Sequence, residues 1–162
     1  MEHIKQNDEG LLPVIQGVGC FVRSCGLAAE YKLDKALSKE QINELWKWGK
    51  ASGKIDADDN VKESAALMNR ALRMLGDDEH YFAEIGIGKV NPHGVYAVEL
   101  YPWADRKGLV PDTFIQKILQ GGPSKYHYRL VNDRLQLIED PHRPAISSLG
   151  MVYTICYKYC RG

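Results

Sequence analysis

Three side chains of this sequence have the types and the order of a thiol-based reactive site. Cys20 supplies a thiol near the start of the chain, and His127 and Asp140 follow much later. A thiolate can attack a carbonyl carbon, an imidazole can move the proton, and a carboxylate can orient the imidazole. Because such residues need to be close only in the fold, the elements that carry them decide whether they form a site.

Cys20 is predicted to begin a helix directly after Gly19. Unpaired N–H groups and the helix dipole favour a thiolate at that place, and the Cys20 N–H can also bind a developing oxyanion. Gln16, four residues earlier, can supply a second donor through its amide. The alternative is that Cys20 is a small buried hydrophobe, as most free cysteines are.

The predicted base and its orienting carboxylate lie on neighbouring strands. His127 begins one strand, and Asp140 ends the next. A tight hairpin loop at 132–134 places His127 opposite 138–139, which brings Asp140 within reach of the imidazole. The alternatives are a half-exposed sheet histidine at 127 and simple turn chemistry at the Asp-Pro pair.

The chain has four cysteines, namely Cys20, Cys25, Cys156 and Cys160. The first nine residues are polar and contain no secretory signal, so reduced thiols and a cytoplasmic location are expected. A zinc site of four thiolates is a weaker alternative, because the chain around Cys20 and Cys25 is predicted to be helical rather than a zinc knuckle. We therefore expect neither a metal nor a cofactor. Cys25, which precedes Gly26, is a second candidate for the reactive thiol.

Composition predicts one globular domain over residues 1–162, with 44% hydrophobic and 26% charged residues. Lys plus Arg and Asp plus Glu both number 21, so the net charge is zero. That balance disfavours a nucleic-acid partner. The chain also lacks an apolar run of roughly 18 residues, the length that would predict a membrane helix.

The first half of the chain is predicted to be helical. Residues 19–31 form a mostly apolar helix that belongs in the core. Ser38 and Gln41 match a capping box at the start of a second helix. The apolar face of a third helix consists of Leu67, Met68, Ala71, Leu72 and Leu75.

The second half is predicted to form strands. Hairpins join residues 81–87 to 95–101 and 126–131 to 135–139, and a closing strand covers 151–159. Residues 111–119 are predicted to form a short helix. Helices followed by an antiparallel sheet indicate an α+β fold.

These motifs resemble the papain-like cysteine peptidase superfamily, and in particular the bacterial peptidases that cut double-glycine leader peptides. The residues that carry the resemblance are Gln16, Gly19-Cys20, Ser24, Leu27-Ala28-Ala29, Tyr31, His127-Tyr128-Arg129-Leu130-Val131 and Ile138-Glu139-Asp140-Pro141. The resemblance implies a papain-like α+β fold with Cys20 on a central helix and His127 and Asp140 on the facing sheet. It also implies a peptide or protein substrate.

Residues 19–61 are also similar to a small uncharacterised family found on spirochaete plasmids and in phages, which implies no activity. Two functions therefore stay open. The first is a thiol hydrolase that acts on a peptide or isopeptide-like amide. The second is a catalytically silent papain-like module that binds a protein partner. A Cys20 sulfur within hydrogen-bond reach of His127, with an open groove beside it, favours the enzyme, and a groove filled by Phe21 or Trp103 favours the binding module.

Overall fold

A computed structural model, which describes residues 1–122 and 124–162, confirms the α+β prediction. The helices are α1 (Pro13–Val18), α2 (Cys20–Leu33), α3 (Lys39–Ala51), α4 (Ser64–Met74) and α5 (Pro102–Arg106). The strands are β1 (His80–Val90), β2 (Tyr96–Leu100), β3 (Thr113–Leu119), β4 (Tyr126–Val131), β5 (Leu137–Glu139) and β6 (Gly150–Arg161).

The strands form one antiparallel sheet in the order β2-β1-β6-β3-β4-β5. The closing strand β6 lies in the middle, between β1 and β3. The helices supply the other layer, with α2 and α4 packed on each other, α2 also against β4 and α4 against β1. This arrangement brings the start of α2 near the strand that carries His127.

α2 is the central helix, and it is apolar on nearly all sides. Its residues 22–30 are all buried, as expected for a helix enclosed by other helices and a sheet. The helix begins at Cys20 because the chain bends at Gly19, where φ is −83° and ψ is 10°. A Cβ at Gly19 would lie 2.5 Å from the Ile15 carbonyl oxygen, so only glycine allows this close junction between α1 and α2.

The predicted start of α3 and the predicted apolar face of α4 are confirmed. The Ser38 side chain accepts from the Gln41 N–H, and the Gln41 side chain accepts from the Ser38 N–H. Leu67, Met68 and Leu72 of α4 are buried. Neither α1 nor α5 was predicted from the sequence. Both are short, and both begin with proline, which is favoured at the first helical position.

The prediction of a helix over residues 111–119 is wrong, because the structure has strand β3 there. Phe114, Ile115 and Ile118 have a spacing that also fits a helix. β3 is flanked by β6 and β4, and most of its residues are buried. A strand covered on both faces loses the alternation that distinguishes it from a helix.

The β4–β5 hairpin is confirmed, but its predicted register is wrong. Leu130 pairs with Glu139 and Val131 with Leu137, with an irregularity between the two pairs. The loop is longer than predicted and includes Leu135 at a φ of 62°. Asn132 closes it by accepting the N–H groups of residues 134 and 136. Asp140 lies in the turn after β5, and this turn, rather than the predicted pairing of the two strands, brings its side chain to His127.

None of the helices in the described ranges is long and apolar enough to cross a membrane.

Candidate active site

Cys20 is the first residue of α2, and its side chain is half-buried. The first N–H groups of a helix have no partner within it, and they carry partial positive charge. The chain bends at Gly19, so the N–H groups of residues 20–22 belong to the first turn of a new helix, α2, and not to a continuation of α1. The thiol therefore lies where the backbone favours a negative charge.

His127 and Asp140 are joined by a hydrogen bond of 2.7 Å between Nε2 and Oδ1. Both side chains are almost completely buried. The carboxylate is fixed further, because Oδ1 accepts the His142 N–H at 2.8 Å and Oδ2 accepts the Ile146 N–H at 2.9 Å. With Nε2 engaged by Asp140, Nδ1 is the ring nitrogen left for another partner.

The electrostatics of this pair favour a charged imidazole. Burial lowers the pKa of His127, but the hydrogen bond with Asp140 and the nearby Cys20 thiol outweigh this effect and raise the pKa to about 9. Burial likewise raises the pKa of Asp140, while the hydrogen bonds from His127, His142 and Ile146 hold it below its usual value. The structure thus brings the three residues predicted from the sequence together, with the imidazole between thiol and carboxylate.

Cys20 and His127 line an open cleft of about 390 Å³. Cys20, Phe21, Trp46, Tyr126, His127 and His142 contribute to its walls. The Phe21 ring lies in the wall, stacked on Tyr128 with their centroids 4.0 Å apart. Trp103 is on α5 and is not among the described residues that line the cleft. Neither aromatic ring closes the space beside the thiol.

Gln16 also lines the cleft, but its amide already has a partner in the chain. Its Nε2 donates to the Asp8 carbonyl at 3.0 Å. One N–H of the amide remains for a ligand, since a primary amide has two.

The other cysteines are less suited to the role of nucleophile. Cys25 has no exposed surface, and burial raises its pKa far above the usual range. Cys156 is also fully buried, and burial raises its pKa to about 11. Cys160 is half-buried on β6 and is not among the described cleft residues. Buried thiols of raised pKa are unreactive, so Cys20 is the thiol placed for chemistry.

The four thiols do not gather into a zinc site. Cys25 belongs to the main core, whereas Cys156 packs in a separate cluster with Phe114 and Val131. Within residues 1–122 and 124–162, no group of three or more His, Cys, Asp or Glu side chains is arranged to hold a metal ion.

Sequence reasoning did not identify the polar residues Gln6 and His142 as part of the cleft. His142 lies two residues after Asp140, and its ring is perpendicular to that of His127 with centroids 6.4 Å apart. Its Nδ1 lies 2.8 Å from the Pro144 carbonyl. Its position just after Asp140 was a usable signal. Gln6 had none, because long-range contacts of the N-terminal segment place it in the cleft.

Comparisons with models of known protein families, with curated proteins and with solved structures found no match. The functional argument therefore depends on the chemistry of the cleft. Its decisive features are the thiol at a helix start, the imidazole beside it and the buried carboxylate behind the imidazole.

Proposed function

We propose that this protein is a papain-like cysteine peptidase or amidase that hydrolyses a peptide or isopeptide bond. Cys20 is the nucleophile, His127 the general base and acid, and Asp140 the residue that positions His127. The observation that carries the proposal is the 2.7 Å bond between His127 and Asp140 beside the half-buried Cys20 in an open cleft. The papain-like assignment is supported by a cysteine-bearing helix packed against an antiparallel sheet, in which β4 carries His127 and β5 leads into Asp140.

The first half of the reaction acylates Cys20. The thiolate attacks the carbonyl carbon, a C–S bond forms, and the carbonyl π electrons move onto the oxygen. When these electrons return, the C–N bond breaks, and protonated His127 gives its Nδ1 proton to the leaving amine. The raised pKa of His127, about 9, keeps that proton available at neutral pH.

The second half releases the acyl group. Neutral His127 takes a proton from a water molecule, and the water oxygen attacks the thioester carbonyl. Collapse of this intermediate breaks the C–S bond and yields a carboxylic acid. Cys20 leaves as a thiolate beside the imidazolium, which restores the starting pair. Asp140 stays ionised and stabilises the imidazolium throughout.

The cleft's charges support a peptide substrate over a nucleic acid. The Asp and Glu side chains in its walls are Asp58 and Asp59, and none of its described residues is lysine or arginine. Nucleic-acid binding needs cations that neutralise phosphates. A reactive thiol also needs a reducing compartment, so we infer a cytoplasmic location from the free state of the four cysteines.

A library of proteome-derived peptides tests the proposal. The native protein is incubated with the library, and new termini are identified by mass spectrometry. We expect cleaved bonds with a shared sequence preference in the native protein and in Cys160→Ser, which removes a thiol outside the cleft. Cys20→Ser should produce none. A native protein that cleaves nothing, or a Cys20→Ser variant that cleaves equally, would contradict the proposal.

A second candidate is a catalytically silent binding module, which two observations favour. Phe21 stacks on Tyr128 in the cleft wall beside Cys20. The Gln16 amide is tied to the Asp8 carbonyl. For such a module, the native protein and Cys20→Ser should retain the same peptides from the library without creating new termini.

A further inference from the structure

The turn that carries Asp140 belongs to neither a helix nor a strand. β5 ends at Glu139 and β6 begins at Gly150, so residues 140–148 lie outside the ladders of the sheet. The position of the Asp140 carboxylate relative to His127 therefore depends on what holds this turn against the rest of the protein. Residues 5–7 of the N-terminal segment bind it directly.

The Lys5 side chain reaches Asp140 itself. Its ammonium donates to the Asp140 carbonyl at 2.7 Å and to Glu139 Oε2 at 3.0 Å. Only 19% of the Lys5 side chain is exposed, so water competes little for these bonds. Burial of the charge is tolerated because a carboxylate and a carbonyl accept two of its three N–H donors. Lys5 thus fixes the backbone from which the Asp140 side chain branches.

The two residues after Lys5 continue the attachment. The Gln6 N–H donates to the Pro141 carbonyl at 2.6 Å. The Asn7 side chain and the Arg143 backbone form a reciprocal pair, in which Nδ2 donates to the carbonyl at 2.7 Å and Oδ1 accepts the N–H at 3.0 Å. Successive residues of the segment therefore hold the turn at several points along its length.

The same segment is also attached to α2, the helix that begins at Cys20. Arg23 of this helix donates from Nε to the Ile4 carbonyl at 2.7 Å. His3 Nδ1 lies 2.9 Å from Oε1 of Glu30, which is a buried residue of α2. The segment thus connects the helix of the thiol with the turn of the carboxylate.

We propose that Lys5 is a positioning residue, which holds Asp140 where its carboxylate can orient His127 toward Cys20. This role rests on the proposed thiol hydrolase. Lys5 does not line the cleft, and it acts through the backbone of the turn. The N–H groups that hold the Asp140 carboxylate belong to the same turn, so a displaced turn would carry the carboxylate and its donors away from the imidazole together.

Replacement of Lys5 can act on His127 in two ways, and these have opposite signs. Loss of the ammonium charge alone removes a repulsion from the imidazolium, so the pKa of His127 would rise. Displacement of Asp140 weakens the bond that stabilises the imidazolium, so the pKa would fall. Lys5→Met keeps the apolar stem of the side chain and removes its donors. We expect an NMR titration of the His127 ring protons in this variant to show a pKa that falls from about 9.

Alkylation of Cys20 by iodoacetamide is the second measurement. At about pH 6 a thiolate at Cys20 depends on the imidazolium beside it, whereas at about pH 10 a thiol ionises without that help. We expect Lys5→Met to slow alkylation roughly three-fold or more at the lower pH and to change the rate at the higher pH by less than about two-fold. A general loosening of the fold would change both rates.

Lys35→Met is the matched control. Lys35 Nζ also donates to a backbone carbonyl, that of Leu75, at 3.0 Å, and the residue does not line the cleft. This variant should change neither the His127 titration nor the ratio of the two alkylation rates. Asn7→Ala, at an exposed position, removes the next link to the turn without a substitution in the core. It should shift both readouts in the same direction as Lys5→Met.

A His127 pKa that rises or stays unchanged in Lys5→Met, or an equal change in its two alkylation rates, would overturn the role of Lys5. If Lys5→Met does not fold, the same outcomes in Asn7→Ala decide. If Cys20 of the native protein is alkylated no faster than Cys160 at about pH 7, the proposed hydrolase itself fails. The His127 titration still shows in that case whether Lys5 positions Asp140, so the two failures are distinguishable.

Discussion

The imidazole of His127 and the carboxylate of Asp140 lie 2.7 Å apart, although His127 is on β4 and Asp140 is in the turn after β5. The Asp140 side chain is held in this orientation, because the N–H groups of His142 and Ile146 donate hydrogen bonds to its two oxygens. This arrangement fixes which ring nitrogen faces the thiol. The site therefore depends as much on the turn after β5 as on the residues that touch a substrate.

Asp140→Asn should uncouple the imidazole from its orienting acceptor. We expect turnover to fall by roughly 10²–10⁴ and the pKa of His127 to fall from about 9, because the carboxylate that stabilises the imidazolium is gone. An NMR titration of the histidine ring protons measures the shift. Asp133→Asn, in the exposed loop between β4 and β5, is the control. An unchanged His127 titration in Asp140→Asn would show that the bond has no electrostatic effect.

Stability should depend on pH through His127. Its pKa is raised in the folded state, from 6.5 to about 9, so the folded protein binds the proton more tightly than the unfolded chain. The resulting stabilisation is complete below about pH 6.5 and is lost as pH rises through about 9, by up to about 1.4 kcal/mol per pH unit. Urea unfolding at a series of pH values measures this loss. His127→Asn should lack it, and parallel curves for the two proteins would refute the assignment.

Gly19→Ala should disturb the placement of Cys20. The new Cβ would lie 2.5 Å from the Ile15 carbonyl oxygen, and we expect a loss of about 1–3 kcal/mol together with slower alkylation of Cys20. Gly17→Ala, two residues earlier on α1, is the matched control, because a Cβ there meets nothing within 4 Å. Equal effects of the two variants on unfolding and alkylation would mean that the α1–α2 junction does not position the thiol.

The ion pair between Arg23 and Glu30 should be a major support of the N-terminal segment. Arg23 Nη1 lies 2.6 Å from Glu30 Oε2, and both side chains are buried. Arg23→Ala leaves a buried carboxylate without its main partner and also frees the Ile4 carbonyl, so we expect a loss of about 3–5 kcal/mol. Arg134→Ala, at an exposed loop position, should cost little in the same urea unfolding measurement. A loss below that of Arg134→Ala would contradict this role.

Sequence patterns predicted those parts of the fold that depend on interactions between residues close together in the chain. The capping box at Ser38 and the apolar face of α4 appear in the structure because each depends on neighbours a few residues away. β3 was misassigned, because burial of both its faces comes from tertiary packing. The β4–β5 register was misjudged, because an irregular pair and a longer loop leave no signature in composition.

Some residues of the candidate site could likewise be identified from the sequence, and others could not. Residue type and order were enough to single out Cys20, His127 and Asp140. Gln6 could not be found, since its place depends on contacts with residues 139–143 at the other end of the chain. The sequence already favoured Cys20 over Cys25, and the structure adds a physical difference between the two thiols on α2, because Cys25 is fully buried.

The most direct test of the central claim is site-resolved alkylation by iodoacetamide at about pH 7, followed by mass spectrometry of each cysteine peptide. Cys160 is the internal reference, because it is half-buried like Cys20 but lies on β6 outside the cleft lining. We predict that Cys20 reacts at least roughly ten times faster than Cys160, and that His127→Ala removes this advantage while the protein stays folded. Equal rates at Cys20 and Cys160, or a Cys20 rate that His127→Ala leaves unchanged, would contradict the account.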